Sequence, residues 1–155
     1  MSQHATALFV DRHSTRAAVE QLAQAGFARD SISVAMSQAT HDRQFGESGR
    51  RHSGVRPRSA WHDGLLGALV SSLTTVVSPG EEPLRVGGPL APRIVLAGAL
   101  SRALVAFGLE ESDARAVRAG LRDGYIVVGV QTQGDRANLA ARLLELAGGF
   151  ALQAA

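Results

Sequence analysis

A chain of 155 residues with 45% hydrophobic and 19% charged side chains is long enough to build one packed core and too apolar to remain disordered. Cysteine is absent, which excludes disulfides, thiolate metal sites and cysteine nucleophiles. All 16 basic residues are Arg, set against 14 carboxylates, so the net charge is only +2 and the pI of about 10.3 reflects late-titrating guanidinium groups more than a strongly basic surface.

The N-terminus, Met1 to Ala5, has no basic region followed by an apolar one, and by Asp11-Arg12-His13 the chain is polar. A secretory leader is not expected, and the location read from these residues is cytoplasmic. Ala5 to Val10 reads as a strand, Ser14 as a helix N-cap, and Ala18, Val19, Leu22 and Ala25 as the inward stripe of the helix that follows. Gly26-Phe27 fits a left-handed C-cap, and Ile32, Val34 and Met36 alternate as the inner positions of a second strand. Residues 1–37 thus form a first β-α-β half.

Residues 38–60 carry Arg43, Arg50, Arg51, Arg56 and Arg58 against Asp42 and Glu47, with no apolar period, and read as an Arg-rich loop. Residues 61–109 read as an inserted helical hairpin. Leu66, Leu69, Leu73, Val76 and Val77 form its first stripe, Ser78-Pro79-Gly80 breaks it, and Ile94 to Leu109 is a second helix, apolar on nearly every side. Residues 110–155 supply a charged helix with Val117 and Leu121 inward, then a strand at Tyr125 to Val130. A helix follows, opened by Asp135 with a stripe of Leu139, Leu143 and Leu146 or Ala147, and a last strand at Phe150 to Leu152. The ends of the two long helices are alike: Leu22-Ala23-Gln24-Ala25-Gly26-Phe27 returns as Leu144 to Phe150 with one Gly added. Two β-α-β halves in one chain predict an α+β fold. The expected form is a ferredoxin-like split β-α-β sandwich with first and third strands central, helices on one face, and a Gly/Ala-rich helical hairpin inserted between the halves.

The ordered segments Ala7-Leu8-Phe9-Val10-Asp11, Ala17 to Leu22, Ala25-Gly26-Phe27 and Asp30 to Val34 resemble the general stress protein domain family, the heat-induced YflT-like group. The likeness continues in Gly87 to Ala91, Phe107 to Glu111 and Gly124 to Val128, and so spans most of the chain. The Arg-rich loop and the Ser/Thr run after Leu69 depart from that family's pattern. The resemblance implies a bacterial, soluble, stress-linked protein, and it brings no catalytic residues to carry over.

No catalytic residue, cofactor or metal site is expected. The five His, at positions 4, 13, 41, 52 and 62, lack the tight pair spacing of a zinc helix, and a site from His41, His52 and His62 would need the loop to fold back. Glu81-Glu82, Glu110-Glu111 and Asp113 are better explained by helix starts than by acid/base pairs, and Gly87-Gly88-Pro89 lacks a phosphate-loop pattern. Two surfaces are candidates. Arg50, Arg51, Arg56 and Arg58 offer contacts to nucleic acid or another polyanion, although only Trp61 lies nearby as a stacking platform. Val95, Leu96, Leu100, Leu104 and Phe107 form more apolar surface than one such domain is expected to bury, which predicts a homo-oligomer through the hairpin and sheet. Membrane spanning is not expected, because the first apolar stretch is short and the second contains Arg102. A small-ligand sensor in a cleft between subunits is a third reading, resting on fold analogy.

Overall fold

The computed structural model of the protein describes residues 2–46, 65–77 and 82–152. The chain is α+β. Strand β1 (Ser2–Phe9) leads to helix α1 (Arg12–Gln24), a single 3-10 turn and β2 (Ile32–Ser37). A short helix α2 (Gln38–His41) runs into a π-turn at Asp42–Gly46. Helix α3 (Leu65–Ser71) precedes β3 (Thr74–Val76) and β4 (Leu84–Gly87). Helices α4 (Leu90–Ala97), α5 (Leu100–Ala106) and α6 (Glu111–Arg122) come next, before β5 (Ile126–Gln133), α7 (Arg136–Leu146) and β6 (Phe150–Leu152).

One six-stranded sheet runs in the order β3-β4-β2-β5-β1-β6, antiparallel at every pairing. β1 and β5 lie in the interior, as the apolar run Ile126-Val127-Val128-Gly129-Val130 requires, and are in register from Ser2↔Gln133 to Phe9↔Ile126. Alternation sorts the strand residues between two cores. Ala5, Ala7, Phe9, Ile32, Val34, Met36, Ile126, Val128 and Val130 meet α1, α3 and α7 on one face. Leu8, Ala35, Val86 and Val127 meet α4, α5 and α6 on the other. The sheet is therefore covered on both faces: the helices of the two β-α-β halves cover one, and α4, α5 and α6 cover the face that the expected ferredoxin-like form leaves open.

Local chemistry explains the helix ends. Asp11, not Ser14, caps α1: its carboxylate accepts from the Ser14 amide at 2.9 Å and the Ser14 hydroxyl at 2.6 Å, so the helix begins at Arg12. The alike helix ends close alike. Gly26 and Gly148 take φ of 94° and 98°, and the next amide in each case returns to a leucine carbonyl, Phe27 to Leu22 and Gly149 to Leu144. Arg136 at the start of α7 donates to the Ala25 carbonyl at 2.9 Å and stacks on Phe27, which ties the two halves together.

Four further sequence expectations need correction. The Arg-rich segment does not begin as a loop: Ser37 caps α2 through the Thr40 amide, and residues 38–46 are helical, with Arg43 donating to the Gly124 carbonyl. The first hairpin helix stops at Ser71, because the β-branched run Thr74-Thr75-Val76 prefers extended backbone and pairs with β4. The second apolar helix is two helices, broken where Gly98 turns left-handed at φ 74°. The stripe of α7 holds only in part: Leu143 and Ala147 pack against the first core, but its buried line is Ala137, Ala140 and Leu144, while Leu139 and Leu146 face outward.

Candidate interaction surface and buried histidines

The layer formed by α4 and α5 separates the five hairpin residues into two groups. Leu100, Leu104 and Phe107 are 3%, 1% and 1% exposed and belong to the second core, beneath the hairpin and against the sheet. They are occupied within the chain, which corrects their assignment to an oligomer surface. The sequence estimate failed because it counted one buried sheet face where there are two. Val95 and Leu96 do reach the surface, at 67% and 87% exposure, and Val105 joins them at 47%. Between Gly88 and Leu109 the only charges are Arg93 and Arg102. Arg93 is half-buried: it donates to the Ala106 carbonyl at 3.3 Å and lies 5.5 Å from the Phe107 ring centre, lacing α4 to the end of α5. The hairpin's outer surface is consequently apolar, with Arg102 as its exposed charge.

Backbone amides at the start of this layer are pinned from the sheet. Ser33 on β2 accepts from the Leu90 amide at 3.0 Å, satisfying one orphan donor of α4. That approach requires Gly88 at φ 85°, since a Cβ there would overlap the Ile32 carbonyl. A second apolar area borders the β6 edge, where Leu146 and Phe150 are 82% and 57% exposed. Where β5 ends beside the turn that enters β2 lies an open groove of about 320 Å³, lined by Ala28, Asp30, Ser31, Pro89 and Gln131 to Gln133.

Two histidines are shielded from water. His4 on β1 packs on Phe107 with ring centroids 3.9 Å apart, and burial first, then Arg93, holds its pKa below the ordinary histidine value. His41 at the end of α2 is also shifted down, by burial and by Arg85, against an opposing pull from Asp42; its Nδ1 lies 3.7 Å from Asp42 Oδ1, beyond hydrogen-bond length. Neither histidine bonds to a serine hydroxyl among the described residues. Nor, among those residues, do three His, Cys, Asp or Glu side chains gather as a metal site would require. His52 and His62 lie outside the described residues, as do Arg50, Arg51, Arg56 and Arg58. Among the described residues no helix is long and apolar enough to cross a membrane. Sequence reasoning missed His4, whose signal was its phase: it alternates with Thr6 and Leu8 on a strand face that the apolar run of β5 already implied was covered. Comparison with family models, curated proteins and solved structures found no match to this chain.

Proposed function

We propose that this chain is a non-enzymatic, cytoplasmic, stress-linked bacterial protein that self-associates through the outer surface of its α4–α5 hairpin, on a ferredoxin-like core. The fold part of the reading is supported by the strand order β2-β5-β1-β6 with α1 and α7 on one face, which is the split β-α-β arrangement, the insertion extending from β2 to β5. The stress link rests on the family resemblance alone. The observation that carries self-association is the exposure of Val95, Leu96 and Val105 on a surface with so little charge. A second copy is the occupant because an isologous contact lets one apolar patch cover itself and closes the assembly.

The test is sedimentation at micromolar concentration of the wild type and of Leu96→Glu. The wild type should sediment above the mass of one chain, and the variant as a folded monomer, since Leu96 supports no core contact. A compact wild-type monomer would overturn the reading. The groove beside Asp30 and Gln131 favours a second reading, a sensor for a small polar molecule, whose carboxylate and amide groups suit a ligand bearing amine or amide hydrogens. Loss of binding in Asp30→Ala would support it.

A further inference from the structure

His4 sits where the α4–α5 hairpin closes on the sheet, and only 9% of it is exposed. The groups around the ring suit a neutral imidazole. Phe107 covers one face. Gly108, just past α5, is so close that a Cβ on it would come within 2.9 Å of Nδ1. Nε2 is buried and has no hydrogen-bond partner, and the same is true of Thr6 Oγ1, two residues along on the same strand face. Gln131, directly across on β5, is uncharged. The charged group facing His4 is Arg93 from α4; no carboxylate of the described residues acts on the ring.

A neutral imidazole needs one acceptor for its single N–H, whereas an imidazolium needs two and adds a positive charge. Here the second proton would enter a site without an acceptor and beside a guanidinium held in place by the Ala106 carbonyl. Water is the nearest remedy, and Nε2, buried in the closed form, gains it when Phe107 and the end of α5 move away. We propose that His4 is an acid-sensitive latch, holding the α4–α5 hairpin on the sheet while neutral and releasing it on protonation. Release bares Leu100, Leu104 and Phe107, the apolar underside of the hairpin, while the α1–α7 layer stays packed on the opposite face.

The direction follows from linkage. Above the ordinary histidine value of 6.5, closed and open forms both carry a neutral ring and the latch is shut. Below it the open form takes the proton first, so closure weakens by up to about tenfold per pH unit until the lowered pKa of the closed form is reached. His41 shifts in the same direction, by burial first and then by Arg85 and against the pull of Asp42, and must be separated from His4.

The experiment is hydrogen exchange on the full chain at pH 7.5 and 5.5, corrected for intrinsic exchange, with NMR titration of the wild-type histidine rings. Protection at residues 100–107 should fall by up to about tenfold at the lower pH while residues 126–130 keep theirs. His4→Leu should remove this pH dependence, with His4→Gln as the alternative if Leu does not fold, and His41→Asn should retain it. The ring of His4 should titrate below the ordinary histidine value of 6.5. A His4 ring titrating at the ordinary value would overturn the latch. So would hairpin protection that ignores pH, that falls in step with β5, or that keeps its pH dependence in the His4 variants.

Discussion

Leu96 and Leu100 are four residues apart, on either side of the Gly98 break, and the structure gives them opposite environments. Leu100 is 3% exposed in the second core and Leu96 is 87% exposed. Truncating Leu100 to Ala removes buried methyl groups and leaves a cavity between α5 and the sheet, at a cost of about 2–5 kcal/mol. For a chain of this length that corresponds to a fall of roughly 4–20 °C in Tm. Leu96→Ala removes atoms that face water within one chain, so at a concentration where both proteins are monomeric its folding stability should stay within about 0.5 kcal/mol of the wild type. Urea unfolding followed by far-UV circular dichroism reads both, and an unchanged slope with a shifted midpoint marks a true stability effect. Sedimentation of the same two variants reads association. The reasoning is refuted if Leu100→Ala unfolds like the wild type yet dissociates, because Leu100 would then lie between subunits and not inside one.

Asp11→Ala should cost about 1 kcal/mol by removing the α1 cap. Its carboxyl is held below the ordinary value chiefly by the Ser14 hydroxyl and then the Ser14 amide, so the stability it gives is present at neutral pH and lost as pH falls below the usual carboxylate range; urea midpoints at pH 7 and pH 3 should converge between wild type and variant. Gly88→Ala should destabilise by about 1–3 kcal/mol or more, since it combines a left-handed backbone with an overlap on the Ile32 carbonyl, and calorimetry checks it. If the Arg-rich segment binds phosphate, replacing Arg50, Arg51, Arg56 and Arg58 with Ser should reduce the slope of log affinity against log salt by about 0.7–0.9 per lost contact. Absent nucleic-acid binding in the wild type, or an unchanged slope in the variant, removes that reading.

What was legible in the sequence is what strict periodicity dictates. The alternation of Ile32, Val34 and Met36, the helical spacing of Ala18, Val19 and Leu22, and the Gly26 cap all lie where they were read. Leu73 to Val77 was misread because Leu66, Leu69 and Leu73 share helical spacing, while the β-branched residues that end the helix contribute to the same stripe. β4 was hidden because Leu84-Arg85-Val86 is too short to show a period between Pro83 and Gly87. The α7 stripe was chosen by the size of its leucines, but the sheet needed small residues, and Ala137 and Ala140 won the inward positions. The hairpin was misjudged for a related reason. A strand that is apolar at consecutive positions, as Ile126 to Val128 is, must be buried on both faces, and that implied an internal home for Leu100, Leu104 and Phe107 before any partner was invoked.

Burial of the hairpin's underside gives its two sides separate physical roles. The inner side is committed to folding: Ser33 pins its first amide, Arg93 laces its two helices, and Phe107 fills the space between His4 and Gly129. The outer side contributes little to that core and is free to differ in chemistry without unfolding the chain. A substitution at Leu96 therefore reports on association, one at Leu100 on folding, and one at His4 on the coupling between them. If the hairpin lifts in acid, its outer contact and its inner core are disturbed together, since both are carried on the same pair of short helices. Association measured against pH should then weaken in the window set by His4, and His4→Leu should make it indifferent to pH there.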